Sequence, residues 1–129
     1  MKRLLFLMCL FSLINCKQSV KGQTKIVSIK EMQELLKNEN VQLLDVRTPK
    51  EYGEGFIEHA KNINFYSSTF SSDVESLDKQ KPIIVYCKMG GRSAKSAKKL
   101  QEAGFIEIYD LGGGITNWKD QGHPIKTKH

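Results

Sequence analysis

The residue best placed to do chemistry is Cys87, the one cysteine outside the first sixteen positions. It closes the apolar run Ile83-Ile84-Val85-Tyr86 and opens the segment Cys87-Lys88-Met89-Gly90-Gly91-Arg92-Ser93. A continuous apolar, β-prone run reads as a strand buried on both faces, and the segment beyond it leads into a helix. A thiol at that junction faces the positive end of the helix and amide N–H groups that can converge into an anion-binding nest. Gly90 and Gly91 let the backbone curl there without steric penalty. Lys88, Arg92, Lys95, Lys98 and Lys99 follow, with no acid between Cys87 and Glu102. Both the nest and the cations favour thiolate, the reactive form of cysteine, and attract an anionic donor. Arg92 is expected to point back over the nest and shape an anion pocket. Most free cysteines are small buried hydrophobes. The strand–Cys–glycine loop–helix setting is what separates this one from them.

Metal chemistry has little support. One thiol in the globular part forms no internal disulfide, and His59, His123 and His129 show no HxxxH or CxxH spacing. No cofactor is expected. The formal charge of +6 is uneven, because Lys2, Arg3, Lys17 and Lys21 all precede Thr24. From Thr24 onward, 16 Lys and Arg face 14 Asp and Glu, a net of +2. With no aromatic-rich basic motif either, nucleic acid is not expected as a partner.

Alternating strand and helix signals surround the cysteine. Ile26-Val27 suggests a short strand. Ser28 and Glu31 form a capping box ahead of a helix to about Lys37, with Ile29, Met32, Leu35 and Leu36 on one face. The run 41–46 (VQLLDV) is a buried strand candidate. Thr48, Pro49 and Glu51 open a short helix that Gly53 and Gly55 should break. Residues 60–65 alternate like a strand. Phe70, Val74 and Leu77 suggest a short helix within 66–77. A helix is expected over Ser93 to Ala103 with Gly104 at its end, then a strand over Phe105 to Tyr109. Leu111-Gly112-Gly113-Gly114 and a short helix around Trp118 close the chain. This order implies a single α/β domain, its mostly parallel central sheet flanked by helices on both faces, with the site beyond the carboxyl ends of the strands.

Residues 1–15 have the form of a secretory signal: Lys2 and Arg3, then an apolar run from Leu4 to Ile14 too short to span a bilayer. Leu13-Ile14-Asn15-Cys16 resembles a bacterial lipoprotein box, although Asn15 departs from the small residue usual before the cysteine. The resemblance implies acylation of Cys16, with residues 16–24 as a polar tether and 25–129 as the folded domain. Export to the cell envelope or periplasm, anchored to a membrane by lipid, is the expected location.

Three blocks together are similar to the rhodanese (sulfurtransferase) domain. Leu44-Asp45-Val46-Arg47 with Glu51-Tyr52 and the stretch Gly55 to Ile63 is similar to the DVR…E[FY]…GHI.GA.NI signature. Cys87 to Ser93 resembles the CxxGxRS active loop. Leu111 to Trp118 with Gly122-His123-Pro124 resembles the closing L.GG…W…G.P element. Phe56 stands where the family usually has His, and His59 where it usually has Gly; both fall in a structural turn. The resemblance implies a persulfide cycle. Cys87 takes sulfane sulfur from a small anionic donor such as thiosulfate and passes it to a thiol or cyanide-type acceptor, while the amides of Lys88 through Arg92 hold the persulfide. Asp45, Arg47 and Glu51 would form a structural charge network, the glycines at 112–114 would serve backbone geometry, and Trp118 would be core. A monomer is expected.

Three rivals stand beside this reading. Phosphatases and arsenate reductases of the related fold need a Cys-x5-Arg ring, whereas four residues separate Cys87 from Arg92. Thiol–disulfide oxidoreductases usually present CxxC, and position 90 is glycine. A non-catalytic rhodanese-like binding module is the third, since fold alone does not fix function.

Overall fold

The computed structural model describes residues 23–128. The signal segment, Cys9, Cys16 and most of the expected tether lie outside the described residues.

β1 (Thr24–Val27) leads through the Ser28 cap into α1 (Ile29–Leu35). Ser28 Oγ accepts the Glu31 N–H at 3.1 Å, and Glu31 Oε1 accepts the Ser28 N–H at 3.3 Å. This is the capping box read in the sequence. β2 (Gln42–Asp45), α2 (Pro49–Glu54) and the short β3 (Lys61–Asn62) follow. Next come α3 (Phe70–Asp73) with a 3-10 turn over Val74–Ser76, then β4 (Ile83–Tyr86) and α4 (Gly91–Glu102). β5 (Ile108–Leu111) and α5 (Gly114–Asp120) end the fold.

All five strands are parallel, in the order β1-β5-β4-β2-β3. β4 is buried throughout. On one face α3, the 3-10 turn after it and α4 place Phe70, Val74, Ala97 and Leu100 against Leu44, Val85 and Ile108. On the other, α1 and α5 place Ile29, Met32, Ile115 and Trp118 against Leu43, Ile84 and Leu111. From β2 the chain builds outward to β3, whereas β4 and β5 build the other way. The crevice beyond the ends of β2 and β4 is therefore the topological switch point, where open parallel sheets bind ligands.

Several expected boundaries move, each for a local reason. The alternating stretch 60–65 pairs as strand only over Lys61–Asn62. The Ile63 and Phe65 N–H groups still donate to Asp45 O and Val46 O at 2.9 and 3.0 Å, but the edge has no outer neighbour and turns away at Asn64–Ser67. The last strand begins at Ile108 rather than Phe105, because Phe105 closes the preceding helix. Its N–H donates to Leu100 O and that of Gly104 to Gln101 O, both at 3.1 Å, with Gly104 left-handed at φ +98°. That pair of bonds is the Schellman closure. Gly53 does not interrupt α2; the helix runs on to Glu54 and Gly55 caps it. α4 starts two residues before Ser93, so Gly91 and Arg92 belong to its first turn.

Candidate active site

β4 delivers Cys87 to the switch point, and α4 begins four residues later. The Gly90 N–H donates to Cys87 Sγ at 3.0 Å, and Sγ reaches Ser93 Oγ at 3.4 Å. Ser93 Oγ donates in turn to Gly90 O at 3.1 Å, fixing the turn. Gly90 sits at φ +123°, where a side chain would be strained. The sulfur thus meets an inward-facing amide at the positive end of a 12-residue helix with no acid in its first turn. Cys87 itself is 1% exposed, so the loop encloses the thiol rather than displaying it.

The other half of the loop is shaped from outside. The N–H groups of Ile115 and Thr116, at the start of α5, donate to Cys87 O and Lys88 O at 2.9 and 3.0 Å. In a trans peptide the N–H points opposite to the C=O, so these bonds turn the Lys88 and Met89 N–H groups away from α5. The approach is close. A Cβ on Gly114, whose φ is +59°, would lie 2.5 Å from both Cys87 O and Lys88 O. Gly113 is left-handed too, at φ +74°. The glycine run at 112–114 serves backbone geometry as expected; that it braces the Cys87 loop was not legible, because nothing local to it names its partner.

Above the loop lies a cavity of about 500 Å³ lined by Arg47, Glu51, Glu54, Tyr66, Lys88, Arg92, Ile115, Thr116 and Lys119. Two hollows of similar volume, about 550 and 590 Å³, open at Lys61–Ser76 and around His59, and neither is lined by any residue of the Cys87–Ser93 loop. Arg92, expected to shape the pocket, lines it and grips Glu51 of α2 through both nitrogens, Nη1–Oε1 at 2.8 Å and Nη2–Oε2 at 2.9 Å. A bidentate ion pair outweighs contacts to neutral backbone. Hydrogen bonds from Arg92, opposed by burial and helped by the Thr48 hydroxyl, hold the Glu51 carboxyl down to about 2. The guanidinium also lies 5.6 Å from the centre of the Tyr66 ring.

The expected charge network of Asp45, Arg47 and Glu51 resolves into two pairs. Glu51 goes to Arg92. Asp45 and Arg47 pair in the interior, with Arg47 Nη2 donating to Asp45 Oδ2 at 2.6 Å and to Gly55 O at 2.7 Å. That anchors the turn containing Phe56 and His59, and His59 adopts φ +71° where glycine would be unstrained. The cationic field is also narrower than the sequence suggests. Lys88 and Arg92 line the mouth and Lys119 joins them, but Lys95 and Lys98 are exposed elsewhere on α4. The Lys99 ammonium lies over the Phe65 and Phe70 rings, 4.9 and 5.4 Å from their centres. Met89, 69% exposed, projects from the loop. Among the described residues no cluster of His, Cys, Asp and Glu is arranged to hold a metal ion.

Comparison with known proteins gives the same picture from three directions. The family model described as "Rhodanese-like domain" matches residues 28–121. Thiosulfate sulfurtransferase GlpE of Coxiella burnetii is 37% identical over 100 residues, covering 78% of this chain and 91% of that protein. A sulfurtransferase of Allochromatium vinosum is 31% identical over 93 residues, covering 72% of this chain and 85% of that protein. Among solved structures, a rhodanese-related protein from Thermoplasma volcanium superposes with a TM-score of 0.71 at 30% identity, covering 81% of this chain and 99% of that one. The polysulfide-sulfur transferase homodimer of Wolinella succinogenes matches with a TM-score of 0.68 at 31% identity, over 81% of this chain and 80% of that one.

Proposed function

This chain belongs to the rhodanese-like domain family, and on that premise we propose that it is a sulfurtransferase in which Cys87 carries sulfane sulfur as a persulfide. One observation carries the assignment to Cys87. Its sulfur accepts the Gly90 N–H at the start of α4, inside a ring whose carbonyls are held outward by α5. Negative charge on that sulfur, or on a second sulfur attached to it, is met by amide dipoles already in place.

In the first half-reaction the Cys87 sulfur attacks the outer sulfur of thiosulfate. An S–S bond forms, the donor's own S–S bond breaks, and its electron pair leaves with sulfite. In the second, the acceptor attacks the outer persulfide sulfur and the electron pair returns to Cys87. The enclosure of Cys87 suits this cycle, since the transferable atom stands about 2 Å beyond Sγ, towards the mouth. The lining sets Arg47, Lys88, Arg92 and Lys119 against Glu51 and Glu54, a positive balance that favours a small dianion. Thiosulfate as donor follows the names of the relatives; a thiol or cyanide-like molecule is proposed as acceptor. The domain works as a monomer in this reading.

The test is steady-state transfer from thiosulfate to cyanide, run beside hydrolysis of a phosphate monoester. Sulfur transfer that Cys87→Ser abolishes is expected. Phosphatase turnover without sulfur transfer would overturn the assignment, as would disulfide-linked acceptor in place of persulfide.

The proposal extends to location. The leader and Cys16 support export with acylation of Cys16, which would hold the domain at the cell envelope on a short tether.

A further inference from the structure

The mouth above Cys87 is electrically two-sided. Its α2 wall carries two acids, Glu51 and Glu54, while the loop contributes Lys88 and α5 contributes Lys119. Two of the four cations that line it are already committed. Arg47 is buried on Asp45, and Arg92 holds both oxygens of Glu51. The ammonium groups of Lys88 and Lys119 have no partner among the described residues. Positive charge free to meet a ligand therefore stands on the loop and on α5, opposite the acidic wall.

The helix fixes where Lys119 stands. The N–H groups of Ile115 and Thr116 hold the first turn of α5 against Cys87 O and Lys88 O. Lys119 comes four residues after Ile115 and three after Thr116, so the three share one side of α5, and all three line the mouth. A lysine in the last turn of a helix also offsets the helix dipole. That role is served by any direction around the axis, whereas this side chain lies on the side turned to the Cys87 loop. A dianion entering the mouth is repelled by the α2 wall and drawn towards α5.

Resting on the sulfur-transfer reading, we infer that Lys119 is the residue that selects the donor, holding the sulfonate end of thiosulfate while Cys87 attacks the outer sulfur at its other end. The Cys87 thiolate forms the new S–S bond, the donor's S–S bond breaks, and its electron pair leaves on sulfite. Thiolate and thiosulfate dianion become persulfide anion and sulfite dianion, so charge balances and no proton moves. The sulfonate oxygens keep their charge throughout, and Lys119 holds them equally before and during the transfer. Its contribution is to capture of the donor rather than to the bond exchange. A donor without a sulfonate has no use for it.

Steady-state transfer from thiosulfate to cyanide by the parent and by Lys119→Gln tests this, beside loading by 2-aminoethyl persulfide, a donor with no sulfonate, followed by intact mass. In Lys119→Gln, kcat/KM for thiosulfate should fall about tenfold through KM, with kcat and kcat/KM for cyanide within about twofold of the parent. Lys119→Arg should recover most of the loss, and loading by the alkyl persulfide should not fall. Lys98→Gln removes the same charge from the part of α4 away from the mouth and should leave thiosulfate kcat/KM within about twofold. Parent kinetics in Lys119→Gln, an equal fall in Lys98→Gln, or an equal fall with the alkyl persulfide overturns the inference and leaves sulfur transfer standing. No transfer by the parent from either donor overturns both.

Discussion

Enclosure of Cys87 decides which molecules can reach it, and the ion pair at the rim decides how the mouth is held. Glu51 and Arg92 form that pair across α2 and α4, each less than a third exposed. The Glu51 carboxyl is held down to about 2 in the fold, against 4.5 in the open chain. A lowered folded value means that the pair stabilises fully above about pH 4.5 and that its contribution is lost as pH falls towards 2. Glu51→Gln should therefore lose about 1–2 kcal/mol at pH 7, and the difference from the parent should vanish in thermal melts run towards pH 2. Asp110 has the opposite sign. Its folded value lies above the ordinary 3.8, so its cost is absent in acid and grows as pH rises through the folded value. Asp110→Asn should be the more stable protein at pH 7 and should lose that advantage near pH 3, in the same melts. At this scale the sequence was informative about Cys87 to Ser93, because strand, glycines and helix are contiguous there. It was silent on which acid Arg92 would choose, because Glu51 lies 41 residues away along the chain and Asp45 farther still, and only the fold decides which of them comes near.

At the scale of elements, the loop after β4 is held in shape by α5, through two N–H to C=O bonds and a glycine where no side chain fits. Gly114→Ala would place a Cβ 2.5 Å from two carbonyl oxygens at φ +59°. It should cost about 2–3 kcal/mol and slow sulfur transfer, since the carbonyls it displaces orient the ring. Gly91→Ala is the control: nothing lies within 4 Å of its Cβ and its φ needs no glycine, so stability should change by less than about 1 kcal/mol. Urea denaturation with an activity assay on each variant separates the two. Capping residues made α1 and α2 readable, because Ser28 and Thr48 act within their own turns. β3 and β5 were less so. An edge strand depends on neighbours far away in sequence, so alternation overestimated β3, while the helix closure through Gly104 and Phe105 moved the start of β5 to Ile108.

Across the whole molecule, the sheet order brings β2 and β4 side by side and puts Arg47, Glu51 and the Cys87 loop around one crevice. That architecture was legible from alternating strands and helices, since parallel pairing and central burial follow from the apolar run at 83–86. Where the α4 lysines would face was not, because helical spacing fixes which of them share a side but not how far that side lies from the Cys87 mouth. Residues before Thr24 carry four of the positive charges and the only other cysteines. If Cys16 is acylated as proposed, the expressed full chain should sediment with membranes and take up radiolabelled palmitate. Cys16→Ser should abolish the label and release the chain, with its sulfur transfer intact. Unlabelled parent protein in the soluble fraction would refute the anchor.

Sulfur held on Cys87 is the central claim, and mass spectrometry of the purified protein after brief exposure to thiosulfate tests it most directly. A gain of one sulfur atom is expected, located on the peptide containing Cys87, removed by cyanide and absent from Cys87→Ser. Unchanged mass, or sulfur found on any other residue, would contradict it.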